Sequence, residues 1–151
     1  MRCRSSSALA LSLALGAAPA AGQTVREAGL ALLATAADPA FAGGGLYGAI
    51  RTGERARLAL TGVLGAERGI LAGRGELTGQ FLLDPSDRGG IGVYGGGGVA
   101  YLAGESGRGY LVLLVGLEAS PGGRSGWAVE AGIGGGARIA AGWRWRWGGA
   151  P

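Results

Sequence analysis

The stretch from Trp127 to Trp147 alternates two kinds of side chain with a period of two. Every second position, beginning at Trp127, holds Trp, Val, Ala or Ile with a single Gly, whereas the positions between them hold Gly, Ala, Glu and Arg. A period of two indicates β-strands, because successive side chains of a strand point to opposite faces. A single strand of this length would be about twice as long as a tilted membrane strand requires. A three-residue turn at 134–136 keeps each kind of side chain on one face and places Trp127 opposite Trp143, whereas a two-residue turn would mix the faces.

Glycine and proline residues divide the preceding part of the chain into segments of similar length. An even number of short, alternating strands predicts an all-β fold, an eight-stranded antiparallel up-and-down transmembrane β-barrel. The segment 66–72 is interpreted as the outer ends of the third and fourth strands rather than as a functional loop. We expect the glycines at 95–98 to relieve crowding and to let the sheet bend tightly. The predicted strands are 24–35, 42–51, 55–65, 73–83, 90–102, 108–119, 126–133 and 137–147.

The low charge of the chain favours a membrane barrel over a soluble domain. Charged residues make up 16% of the sequence, against about 25% in ordinary soluble domains. No segment after residue 22 is apolar for the eighteen or so residues that a membrane helix needs, and the longest apolar run, from Tyr110, stops at Glu118. A weakly charged chain without a membrane helix is typical of a transmembrane barrel.

The first 22 residues have the pattern of a secretory signal peptide. Arg2 and Arg4 precede an apolar run from Ala8 to Ala18, and small residues follow; this run is too short to span a bilayer. We therefore predict a signal peptide at 1–22 and a barrel domain at 23–151, exported to the bacterial outer membrane. Cys3 is the one cysteine, so the exported part has no disulfide. Loss of the signal peptide leaves twelve of the fourteen basic residues against ten acidic ones, a surplus too small and too scattered to imply nucleic acid.

The missing residue types argue against an enzyme. The chain has no His, so the usual serine or cysteine triads have no base and zinc has no nitrogen ligand. The segment GGGLYG from Gly43 matches a dinucleotide-binding pattern, but it begins a strand rather than a helix and predicts no phosphate site. Glu76 and Glu130 could form an acid–base pair, yet nothing in their spacing places them at a pocket. We expect no catalytic residues, no cofactor and no metal.

Side-chain size indicates which face of the barrel points outward. Four tryptophans would crowd the interior of an eight-stranded barrel, whereas the opposite face, largely Gly and Ala, suits a narrow lumen. The tryptophans are therefore predicted to face lipid and to form an aromatic girdle at headgroup level: Trp127, Trp143, Trp145 and Trp147. The lumen is then predicted to hold a network of charges, with Glu130 diagonal to Arg138: Arg51, Arg57, Arg74, Glu76, Glu118, Glu130 and Arg138, together with the neutral Gln80.

The closing strand ARIAAGWRWRW resembles that of the small outer-membrane β-barrel proteins of Gram-negative bacteria, the group that contains OmpX and the membrane domain of OmpA. Its apolar positions end in Trp143, Trp145 and Trp147, as in that family, although GGAP follows here where the family has a terminal aromatic residue. The resemblance implies a signal for periplasmic chaperones and the barrel-assembly machinery. It also implies contact with outer-membrane lipid, and we expect a monomer.

The function predicted from the sequence is structural: an envelope protein that supports outer-membrane integrity, with a side-chain-filled lumen. The alternative is a secreted soluble, lipocalin-like barrel that binds an apolar ligand and turns its tryptophans inward. A lipid-modifying enzyme is disfavoured by the missing side chains, a receptor by the short outer loops, and an open pore by the strand number.

Overall fold

The computed structural model describes residues 24–53, 55–85, 88–104 and 107–148. The predicted signal peptide at 1–22 lies outside the described residues. Eight β-strands account for most of the described chain. They are β1 (Val25–Ala36), β2 (Phe41–Thr52), β3 (Ala56–Glu67), β4 (Ile70–Leu82), β5 (Ile91–Ala103), β6 (Arg108–Ala119), β7 (Ser125–Ile133) and β8 (Ala137–Trp147).

The strands form a closed barrel in which each strand pairs antiparallel with its neighbours in sequence and β8 returns to pair with β1. This confirms the predicted eight-stranded up-and-down architecture. The start of β1 and the end of β8 meet at one end of the barrel, where Arg26 lies opposite Trp147. We call this end the terminal end; the β2–β3, β4–β5 and β6–β7 turns also lie there. The other end, with the remaining four turns, is the distal end.

No helix long and apolar enough to cross a bilayer occurs among the described residues.

The last hairpin has the register that the alternation predicts. Ile133 lies opposite Ala137 and Trp127 opposite Trp143, with 134–136 forming the connection; the alternative of one continuous strand is wrong. Strands β3 and β4 are longer at the distal end than predicted and leave two residues between them, Arg68 and Gly69, both with positive φ. Positive φ at both positions suits the tight hairpin turns that match strand twist. The bounds of β3 and β4 show that 66–72 is mainly strand, as predicted.

Glycines that face the interior are required by the tight curvature of the wall. A Cβ atom added to Gly98 on β5 would overlap the carbonyl oxygen of Leu77 on the neighbouring strand. Gly96 meets the same obstacle at Gly79, whereas Gly95, which faces outward, would make an ordinary contact at 3.6 Å. The predicted role of the glycines at 95–98 in relieving crowding is therefore supported for the inward-facing positions. At the outward-facing Gly97 the added Cβ would also be tight, 3.0 Å from the carbonyl oxygen of Val112.

The distribution of apolar and polar side chains between the two faces of the wall is the reverse of that in a soluble protein. Large apolar side chains point outward along all eight strands, with Leu111 and Leu71 about four-fifths exposed. The interior holds buried Arg and Glu side chains instead. Three apolar clusters also lie in the interior. The cluster near the distal end consists of Leu33, Phe41, Val63, Ala72 and Leu102. The second consists of Leu82, Tyr94, Ala100, Val112 and Leu114, and the third of Tyr47, Ala49 and Ala59.

Candidate functional site

A network of charged side chains fills the terminal and middle parts of the barrel interior. All seven charges predicted for the lumen point inward and are almost completely shielded from solvent, as is Gln80. Three further inward charges join them, Glu27 on β1 and Arg144 and Arg146 on β8. We call these ten residues the interior network: Glu27, Arg51, Arg57, Arg74, Glu76, Glu118, Glu130, Arg138, Arg144 and Arg146.

Glu118 on β6 is the centre of the network near the terminal end. Its Oε2 atom accepts hydrogen bonds from Arg57 at 2.7 Å and from Arg144 and Arg146 at 3.1 Å each. Its Oε1 atom accepts from Arg51 at 3.3 Å. Four guanidinium groups therefore surround a single carboxylate that is itself 1% exposed.

Glu27 on β1 balances the same arginines from the opposite side of the lumen. It forms an ion pair with Arg51 and longer ones, at 3.5 Å, with Arg57 and Arg146. The Tyr47 hydroxyl also donates to it at 3.3 Å. Because Glu27 and Glu118 share three arginines, removal of either carboxylate leaves guanidinium groups buried with fewer partners.

A second group of charges occupies the middle of the barrel. Arg138 donates to Glu76 at 2.7 Å and to Glu130 at 2.9 Å, and Arg74 bonds Glu76 at 2.8 Å. The Glu130–Arg138 pair is the diagonal pair that the hairpin register predicts. Arg144 also donates to Glu130, at 2.7 Å, so the two groups form one connected network.

Two tyrosines order the arginines by stacking and hydrogen bonding. The guanidinium carbon of Arg144 lies 4.3 Å from the ring centre of Tyr47 and 5.2 Å from that of Tyr94. Arg57 packs over the Tyr94 ring at 4.4 Å, and the Tyr94 hydroxyl donates to Glu130 at 2.8 Å while accepting from Arg144 at 2.9 Å. These cation–π contacts hold guanidinium planes at fixed positions inside a low-dielectric interior.

The terminal end of the interior is covered by two turns. Arg51 donates to the carbonyl oxygen of Pro85 in the β4–β5 turn at 3.4 Å, and Arg146 donates to that of Ser120 in the β6–β7 turn at 3.1 Å. A partly open pocket of about 20 Å³ is lined by Tyr47, Glu130 and Arg138 among other residues, which is room for roughly one water molecule.

The two carboxylates considered from the sequence as an acid–base pair meet at one arginine in the lumen. Glu76 and Glu130 are both bound by Arg138. No group of three or more His, Cys, Asp or Glu residues in the described part of the chain is arranged to hold a metal ion.

The four tryptophans lie on the outside of the barrel at the terminal end. Trp127 and Trp143 face each other across the β7–β8 ladder, and Trp145 and Trp147 continue the outward face of β8 toward its end. Their side chains are 38–50% exposed. We call Trp127, Trp143, Trp145 and Trp147 the indole patch; its position at lipid headgroups stays a prediction.

The sequence contained a signal for the network members that were missed. Arg144 and Arg146 occupy the same parity as Arg138 in the closing strand, so the register that placed Arg138 inside places them inside as well. Glu27 gives a weaker signal, because small residues follow it on both faces of β1 and blur the alternation. Its inward direction becomes evident from its partner Arg146 across the β1–β8 closure.

Comparison with known proteins places the fold among outer-membrane barrels. No family model and no curated protein sequence matches the chain. Among solved structures, the N-terminal β-barrel domain of Pseudomonas aeruginosa OprF is similar with a TM-score of 0.61 and 12% identity, over 83% of this chain and 98% of that one. The outer membrane protein OprG from Pseudomonas aeruginosa is similar with a TM-score of 0.52 and 11% identity, over 85% of this chain and 97% of that one. The chain therefore has the fold of the small, eight-stranded outer-membrane β-barrel proteins.

Proposed function

We propose that the protein is an integral outer-membrane barrel with a structural role in the envelope, a lumen filled by its own side chains, and no catalytic activity. The observation that carries this proposal is the reversed distribution of side chains: apolar groups cover the outside and an ion-pair network occupies the inside. Such a surface is stable in hydrocarbon. In water it would be unfavourable, because leucine, isoleucine and tryptophan side chains would be exposed to solvent around the whole wall.

The contents of the lumen support a barrier rather than a pore. An eight-stranded barrel has just enough interior for side chains, and here the interior network is followed toward the distal end by the apolar cluster around Phe41. The turns at Pro85 and Ser120 are bonded across the terminal end. An ion entering this interior would have to displace buried ion pairs, which is costly.

The soluble, lipocalin-like alternative requires an apolar interior that faces a ligand. The indoles point outward instead, and buried Arg and Glu side chains lie in the interior. Outer-membrane biogenesis through periplasmic chaperones and the barrel-assembly machinery, with the chain working as a monomer, is part of the same proposal. It is supported by the alternating, tryptophan-rich β8 at the closing edge.

Cell fractionation and gel mobility test the location. We expect the protein in the outer-membrane fraction and a shift in mobility between boiled and unboiled samples in detergent gels, because a closed barrel resists unfolding at room temperature. Recovery in the periplasm or the medium would contradict the proposal. Planar-bilayer recordings test the lumen: we expect no stepwise conductance, and regular ion-conducting steps would show that the interior network is an open path.

A pair of substitutions tests the lipid environment directly. Leu113 lies outward at the middle of β6, and Leu71 lies outward at the distal end of β4. In a membrane, Leu113→Arg should destabilise the barrel by about 2–4 kcal/mol and Leu71→Arg by about 0–1 kcal/mol, because the cost depends on depth. Chemical unfolding in lipid vesicles measures both, and equal small effects would favour a water-exposed wall.

A further inference from the structure

The indole patch is accompanied by two arginines that have no partner in the described chain. Arg26 lies directly opposite Trp147 on the outward face of the β1–β8 pair. Arg124 is at the same end, where its carbonyl oxygen accepts the backbone N–H of Arg146 at 2.7 Å. Both residues are exposed, and neither side chain makes a hydrogen bond or ion pair with another residue that the structure describes.

Among the residues that the structure describes, no carboxylate balances these arginines on this side of the barrel. The acidic residues of β1, β7 and β8 are Glu27 and Glu130, and both point inward and bind interior arginines. The exposed Arg88 in the β4–β5 turn differs from these two arginines in having acidic residues near it in the sequence. It follows Asp87 and shares its turn with Asp84. Within the described part of the chain, the indole patch is thus the sector of the terminal end where arginines lie beside indoles and no acidic side chain is near them.

We propose that this sector binds the headgroup of an anionic glycerophospholipid in the leaflet at the terminal end. The inference rests on the proposed membrane location. Indoles prefer the headgroup region of a bilayer, and the fork of an arginine matches a phosphate with two hydrogen bonds. A zwitterionic lipid carries its own ammonium beside the phosphate, whereas an anionic lipid carries net negative charge. Arg26 and Arg124 therefore discriminate between the two lipid classes, while the indoles bind both.

The chain carries its own probe for this experiment. All four tryptophans lie in the indole patch, so the intrinsic indole fluorescence of the folded barrel reports on lipid at that site. The full barrel is reconstituted in phosphatidylcholine vesicles that contain a fixed fraction of either dibrominated phosphatidylglycerol or dibrominated phosphatidylcholine. Bromine quenches indoles that it touches, and titration of that fraction gives the relative association constant of the two lipids.

We expect an association constant at least about fivefold higher for the anionic lipid, the factor that corresponds to one arginine at an anionic surface. The double variant Arg26→Gln, Arg124→Gln should bring the ratio to about one without changing quenching by the brominated phosphatidylcholine. The matched control is Arg88→Gln, Arg108→Gln, which removes the same charge from exposed positions away from the patch and should keep the ratio of the unmodified protein.

The outcomes separate this inference from the function on which it rests. Equal quenching by the two lipids in the unmodified protein, or a preference that survives in the Arg26, Arg124 variant, overturns the headgroup site while leaving the membrane barrel intact. Absence of quenching by either lipid shows that the indoles do not contact a bilayer, which overturns the proposed location as well.

Discussion

Replacement of Glu118 by Gln removes the charge on which four arginines converge while keeping the size of the side chain. In the folded barrel the carboxylate accepts from Arg57 at 2.7 Å, from Arg144 and Arg146 at 3.1 Å and from Arg51 at 3.3 Å. A glutamine offers one oxygen to these donors and turns an N–H₂ group toward the others. Breaking a buried pair by removing one partner costs about 3–5 kcal/mol. We expect a loss of that size in the free energy of unfolding.

The charge balance of the interior network explains why the loss should be large. The network contains six arginines and four glutamates, so Glu118→Gln leaves six guanidinium groups with three carboxylates. Further replacement of Arg146 by Gln removes one excess charge and should recover part of the stability, with a coupling energy of roughly 1 kcal/mol or more in a double-mutant cycle. Simple addition of the two single effects would mean that the charges do not interact.

Urea titration of the barrel in detergent micelles, followed by indole fluorescence from both folded and unfolded starting states, measures these values. The control is Asp38→Asn, which removes the partner of Arg68 in a pair at 3.2 Å whose side chains are 96% and 64% exposed. An exposed pair contributes less than about 1 kcal/mol. If Glu118→Gln also costs less than about 1 kcal/mol, the interior charges do not hold the barrel together and the reasoning is refuted.

Other substitutions test the curvature of the wall and the middle of the network. Gly98→Ala should destabilise the barrel by about 1–3 kcal/mol through overlap with the neighbouring strand. The control is Gly75→Ala, at an outward position with no atom within 4 Å of the added Cβ, which should be neutral in the same urea titration. Equal effects of the two substitutions would contradict the steric argument. Tyr94→Phe keeps the ring over Arg57 but loses bonds to Glu130 and Arg144, for an expected cost of about 1–3 kcal/mol. Glu130→Gln should lower the temperature at which the band of the folded barrel disappears from detergent gels, because it leaves Arg138 and Arg144 each with one charged partner fewer. An unchanged temperature would show that Glu130 does not contribute to the stability of the barrel.

The closing hairpin shows how much a strict alternation determines. The odd and even positions differ in chemical character, which assigns each side chain to one face of the sheet. The register follows because each kind of side chain must stay on one face across both strands. The pairing of Trp127 with Trp143 is therefore predicted by the sequence. The same alternation predicts that Arg57 and Glu76 lie inside the barrel. The alternation is weaker in β1, where small residues occupy both faces, and it therefore does not predict the inward position of Glu27.

Sequence alone determined that the chain forms short alternating strands, that their number is eight, and that charge and indole belong to opposite faces, because these properties depend on neighbours within a strand or a hairpin. Tertiary structure decided which charges meet. Glu118 and Arg57 are far apart in sequence and lie on strands that are not neighbours, so their contact at 2.7 Å exists only because the sheet closes on itself. The closure of β1 onto β8 likewise brings Arg26 beside Trp147. Closure is a property of the whole sheet, since the tilt and stagger of all eight strands fix the radius together.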